Sequence, residues 1–211
     1  EALEPDLVLA FSDLQADITT ELVRRGRTVF TFNQRSVAEI LQMVRVLAGI
    51  VGASARGEAL CTELEAGLAR IQAAAARLPR RPRVYFEEWD DPLITGIQWV
   101  EELVEISGGE PVFPERRHAK LAKDRIVTSQ EVVDAAPEII IGSWCGKPLR
   151  PERIAARVGW DQVPAVRDGH IYEVKSAYIL QPGPAALTDG VRQLHAHIRR
   201  YLGAGPDPAA R

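Results

Sequence analysis

The chain has 211 residues, of which 26 are basic, 29 acidic and 46% hydrophobic, for a net charge of −3. That supplies core material for one large domain or two small lobes, and the lack of a basic block argues against a nucleic-acid groove. The longest apolar runs fall well short of a membrane span, and two cysteines, Cys61 and Cys145, make neither a disulfide framework nor a metal-ligand spacing.

Helical and extended elements are expected to alternate. Glu1-Ala2-Leu3 reads as the last turn of a helix, and the opening lacks both Met and a charged-then-apolar leader, so we expect a processed or trimmed polypeptide. Asp6 to Phe11 is an apolar strand, Asp13 caps a helix running to about Arg25, and Thr28 to Phe32 is the next strand. Ser36 with Glu39 makes a capping box for a helix to about Val51. From Ala55 to Leu78, Leu60, Leu64, Leu68 and Ile71 recur at helical spacing, which predicts a helix about 36 Å long. Pro79 and Pro82 close it. Val84 to Glu87 is a strand, Gly96 to Ser107 a helix, Val127 to Ala135 a short capped helix and Glu138 to Gly142 a strand. A short helix over Arg150 to Arg157, a strand over His170 to Val174 and a helix over Pro184 to Tyr201 follow, and the tail from Gly203 to Pro208 reads as a frayed end.

Two features point to a site. The run Glu87-Glu88-Trp89-Asp90-Asp91-Pro92 puts an aromatic ring and four carboxylates at the end of a strand, where ligands bind in open α/β sheets. Paired carboxylates there suit a hard cation or hydrolysis, yet no nucleophile or metal spacing accompanies them, and alternation splits Glu87 from Glu88. The second feature is an internal echo. Leu3-Glu4-Pro5-Asp6-Leu7-Val8-Leu9-Ala10-Phe11-Ser12 matches Ala135-Ala136-Pro137-Glu138-Ile139-Ile140-Ile141-Gly142-Ser143-Trp144, in the order helix end, Pro, acid, apolar strand, small residue, and a serine beside an aromatic. It puts Phe11 and Trp144 at equivalent strand ends. The plainer explanation is that Pro-acid-apolar is a common entry to parallel strands. Trp99, inside a helix, and Trp160, beside a turn, read as structural.

Taken in order, the Glu4-Pro5-Asp6-Leu7-Val8 entry, the long central helix, Glu87 to Pro92, Gly108-Gly109, Val127 to Val132 and Asp168-Gly169-His170-Ile171-Tyr172 resemble the substrate-binding proteins of ABC importers for cobalamin, haem and ferric siderophores. Glu-Glu-Trp-Asp-Asp-Pro looks most like the cobalamin-binding branch. The resemblance implies an α/β fold of two Rossmann-like lobes joined by a long rigid helix: residues 1–53 as a partial amino-terminal lobe lacking the usual first β-α unit, 54–79 as the inter-lobe helix and 80–211 as the second lobe. It implies a non-enzymatic, extracytoplasmic role, with a corrinoid captured between the lobes and passed to permease subunits, and no resident cofactor. Haem or a ferric siderophore is the alternative ligand, and a metal-dependent α/β hydrolase using Glu87 to Asp91 the more distant one.

Carried over by position, the ligand contacts are Phe11, Trp89, Asp90, Leu93, Trp144 and Tyr178, with Asn33, Gln34 and Gln181 as amide-compatible neighbours. Asp17 matches the acid that docks on the permease, while Leu180 stands where the second lobe's acid belongs, with Asp189 as a substitute. Cys145 is expected to be a small buried thiol.

Overall fold

The computed structural model describes residues 3–205. The helix-end reading of Glu1 and Ala2, and the part of the tail from Pro206 onward, lie outside these residues. Contacts divide the chain into two units, one reaching to Arg35 and the other starting at Ser36.

The first unit is a β-α-β segment. Strand β1 (Val8–Phe11) pairs in parallel with β2 (Val29–Phe32), with Val8 opposite Val29 and Phe11 opposite Phe32. The connection is a 3₁₀ turn (Asp13–Gln15) running into α1 (Ala16–Arg24). The cap is Ser12 rather than Asp13: its hydroxyl accepts the Leu14 N–H, and the chain reaches it at φ 65°. A strand that turns straight into a 3₁₀ helix meets its first open N–H groups one residue early, so the serine takes the capping role. Among the described residues of this unit, Ser12 and Gln34 are buried and no apolar side chain is.

The second unit carries the core. Helix α2 (Val37–Ile50) opens with the expected Ser36–Glu39 capping box, and α3 (Ser54–Ala75) packs against it. Gly57 makes that approach possible, since a Cβ there would lie 2.3 Å from the Ala48 Cβ. Strand β3 (Arg83–Asp90) is followed by an antiparallel β4 (Leu93–Thr95), α4 (Gln98–Ile106), a short β5 (Glu110–Pro111), α5 (Ser129–Ala135) and β6 (Ile139–Gly142). Then come α6 (Pro151–Ala155), α7 (Pro164–Arg167), β7 (Ile171–Glu173), α8 (Ser176–Ile179) and α9 (Val191–Tyr201). β3 is central, with β6 and then β7 on one side in parallel and β4 and β5 on the other.

Alternation along these strands builds two hydrophobic layers. Val84, Phe86, Ile139 and Ile141 join one core with residues of α2, α3, α4 and α9, while Tyr85 and Ile140 join another with Val132, Ile154 and Trp160. Such double-sided burial is what a parallel strand covered by helices requires. Trp99 and Trp160 are buried and structural as expected: Trp99 Nε1 donates to the Ile179 carbonyl and Trp160 Nε1 to the Ser129 hydroxyl. The expected helix from Pro184 to Tyr201 is present, with a π turn (Ala186–Gly190) inside it just before α9. Gly190 lies against the Tyr178 carbonyl, 2.4 Å from where a Cβ would sit, and that approach widens the turn.

The internal echo has a backbone counterpart. Glu4 and Ala136, aligned in the two segments, both take left-handed conformations, at φ 40° and 43°, just before the proline.

Candidate functional site

At the carboxyl end of β3 the ladder to β4 slips by one residue between Glu87 and Trp89. A bulge of this kind lodges one extra residue on one strand and re-aims those that follow. Its result is visible in the partners. Glu87, fully buried, accepts two hydrogen bonds from Arg157, at 2.6 and 2.9 Å, and one from Trp144 Nε1 at 2.9 Å. Glu88 points elsewhere and holds the buried Arg125 at 2.6 and 3.2 Å. Asp90, three residues after Glu87, meets the same basic segment, with Arg153 at 3.3 Å and Lys147 Nζ at 2.6 Å. The expected split of Glu87 from Glu88 is therefore observed, and each of the three acids faces a cation. Among the described residues no group of three or more His, Cys, Asp or Glu side chains is placed to hold a metal ion.

Lys147 reaches this point because of how the chain leaves β6. Gly142 lets Leu149 fold back onto the strand, a Cβ there being 2.2 Å from Leu149 Cδ1, and Gly146 turns the loop at φ 74°. The ammonium then lies 3.9 Å over the Trp89 ring and 5.5 Å from that of Trp144, both within cation–π range. Trp89 is half-buried and donates its Nε1 to the Asp91 carbonyl at 2.8 Å, which locks the ring against the β3–β4 turn. Burial by itself raises the Asp90 carboxyl, but the Lys147 hydrogen bond and charge, a backbone N–H and the Arg153 charge outweigh it and hold the group below the usual carboxylate range.

The structure brings Trp89, Asp90, Leu93 and Trp144 into one group. Leu93 is paired with Asp90 across the turn. Trp144, expected to face a ligand, is only 2% exposed, sandwiched among the second core layer, Lys147 and Arg153. Tyr178 stands apart on α8, 40% exposed. In the first unit Phe11 ends β1, half-buried, with the Arg35 guanidinium 5.6 Å from its ring and its N–H donated to the Gln15 side chain. Asp17 is exposed in the first turn of α1. Of the amide candidates, Gln34 is buried, and Asn33 and Gln181 are exposed. Cys145 is exposed, not buried, because it sits in the open turn before Gly146.

Sequence reasoning missed Lys147, Arg153 and Arg157. One signal was there: Arg150, Arg153 and Arg157 recur at steps of three and four, which places guanidinium groups on one helical face.

Residues 1–178 match the family described as Periplasmic binding protein. The chain belongs to this family. It is 26% identical to the ABC transporter substrate-binding lipoprotein YvrC of Bacillus subtilis, over 93% of this chain and 63% of that protein. It is 23% identical to the Vitamin B12-binding protein of Vibrio parahaemolyticus, over 88% of this chain and 66% of that one. The chain thus spans just under two thirds of the length of both relatives. Among solved structures, the periplasmic heme-binding protein RhuT from Roseiflexus sp. RS-1 superposes with a TM-score of 0.76 at 21% identity, covering 93% of this chain and 78% of that one. The shared fold is the mixed α/β fold of periplasmic binding proteins, as the sequence led us to expect. No helix among the described residues is long and apolar enough to cross a membrane.

Proposed function

We propose that this periplasmic binding protein family member is the extracytoplasmic solute-binding component of an ABC import system and that its ligand is a corrinoid. The observation that carries this reading is the half-buried Trp89 ring, held at the carboxyl end of the central strand by Nε1 and flanked by Asp90 and Leu93. A flat aromatic face set beside fixed polar groups suits a large, partly planar ligand with polar substituents. On this reading Trp89, Asp90, Leu93 and Tyr178 belong to the ligand site of the second unit with Trp144 beneath it, and Phe11, at the end of β1, is the ligand-facing ring of the first unit. α3 takes the part of the stiff connector between residues 1–53 and 80–211. The exposed Asp17 serves in docking to the permease, and no chemistry is performed on the ligand.

The buried ion pairs favour this over hydrolysis, because Glu87, Glu88 and Asp90 are each engaged by a basic side chain and hold the loop in place. The test is an absorbance titration of the protein with cyanocobalamin, haemin and a ferric siderophore. Saturable one-to-one binding of cyanocobalamin that is lost in Trp89→Ala supports the corrinoid reading. Saturable binding of haemin or the siderophore alone replaces the ligand and keeps the role, and no binding of any of the three overturns the role itself.

A further inference from the structure

The charges around Trp89 are not evenly matched on the side that faces solvent. The Asp90 side chain is 3% exposed and is shared by two cations, Lys147 and Arg153, whose side chains are 37% and 57% exposed. The neighbouring carboxylates on β3 are already engaged: the buried Glu87 by Arg157 and Trp144, and the partly buried Glu88 by Arg125. One positive charge is therefore left over within reach of the Trp89 ring, and it is carried by the two more accessible groups. A lysine ammonium has three N–H donors and a guanidinium five, so the single contacts to Asp90 leave donors open on both. Two further acids lie close in sequence, the exposed Asp91 and Glu152, the latter 3.9 Å from Arg150. They cancel the surplus at long range, so any discrimination acts at contact distance.

We infer that Lys147 and Arg153 form an anion subsite beside the flat face of Trp89, so that the protein selects a planar ring bearing a negatively charged oxygen group, a phosphodiester or a carboxylate, over the same ring without one. The inference rests on the solute-binding reading above and narrows its substrate class. It also assigns the cation above Trp89 a second role. An arriving anion draws Lys147 toward itself and frees the indole face that the ammonium now covers, so ring stacking and charge recognition occur together.

Two ligand pairs separate the sources of the anion. Cyanocobalamin carries a phosphodiester in its nucleotide loop and dicyanocobinamide lacks that loop; haemin carries two carboxylates that haemin dimethyl ester masks. Each is titrated into the full chain by absorbance. We expect the anionic member of the bound pair to bind about tenfold tighter than its partner. Lys147→Met and Arg153→Met should each erase most of that difference by weakening the anionic member about fivefold to tenfold, leaving the other member within about twofold. Lys147→Arg should restore the preference, while Trp89→Ala weakens both members. Far-ultraviolet circular dichroism of each variant establishes that it is folded. Equal affinities within the pair, or equal losses for both members in Lys147→Met, overturn the anion subsite while leaving the solute-binding role intact. Absence of binding by all four compounds overturns the anion subsite, and the solute-binding role falls with it when the ferric siderophore also fails to bind.

Discussion

The strands β1 and β6 share an entry sequence, a left-handed residue before the proline and a buried serine beyond the strand, yet they end in opposite environments. β6 is buried along all four residues between β3 and β7, whereas β1 pairs with β2 and leaves Leu9 48% exposed. The acid after the proline diverges in the same way. Glu138 accepts the Arg83 N–H, binds Arg80 and takes the Tyr201 hydroxyl, while Asp6 is exposed. Local sequence thus dictates how a strand is entered. Its neighbours dictate what the same residues contribute to stability.

The contrast breaks first on buried charge. All described acids of the first unit are exposed, while Glu101 of the second is 2% exposed. Burial pushes its carboxyl up from an ordinary 4.5 to about 8, against the opposing pull of Arg117, the Thr95 hydroxyl, Arg125 and the Gly96 N–H. Below pH 4.5 folded and unfolded chains both hold this proton. Between 4.5 and 8 the folded chain alone does, so Glu101 makes stability fall as pH rises through that window, by roughly 3–5 kcal/mol. All four tryptophans lie in the second unit, so urea unfolding followed by their fluorescence reports that unit. Glu101→Gln should flatten the decline between pH 5 and 8, and an unchanged slope would remove Glu101 as its source.

Ion pairs at the two strand ends sharpen the same point. Arg157 holds the fully buried Glu87, while Arg35 meets Asp13 at 3.2 Å with half of the Asp13 side chain exposed. Arg157→Met strands a buried carboxylate and should cost roughly 3–5 kcal/mol in the urea experiment. Asp13→Asn should change the thermal midpoint by an amount worth under about 1 kcal/mol. Comparable losses from the two would mean that burial does not set the difference.

Much of this was legible in the sequence, and the boundary is physical. The capping boxes at Ser36 and Thr128, the strand entries and the position of Trp89 depend on residues within a few steps of one another. So does the divergence of Glu87 and Glu88, which is a property of extended backbone. The β4 hairpin and the bulge after Glu87 pair residues only a few positions apart and were open to a local reading, whereas the π turn before α9 lies against the Tyr178 carbonyl of another helix. Lys147 lies 57 residues from Asp90, and nothing near either residue announces the pairing. Trp144 shows the limit most sharply: strand-end position suggested a ligand-facing ring, but Glu87 captures its N–H and the second core layer takes the ring.

The smallest effect tests the shared part of the two strands. Ala136 ends α5 at φ 43° and ψ 56°, where the Cβ of an L-residue crowds the backbone and glycine does not. Glycine also gains freedom in the unfolded chain, which offsets part of the relief. Ala136→Gly should therefore stabilise the second unit by about 0.5–1 kcal/mol, read from the urea midpoint of tryptophan fluorescence. Glu4 takes the same conformation at φ 40°, so Glu4→Gly should relieve similar local strain. Because β1 is half exposed and its unit holds no buried apolar side chain among the described residues, that relief should appear as slower amide exchange in β1 and β2 and leave the tryptophan midpoint unchanged. A shift of that midpoint by Glu4→Gly would show that the strand entries of the two units are energetically coupled, and the contrast drawn between them would fail at its base.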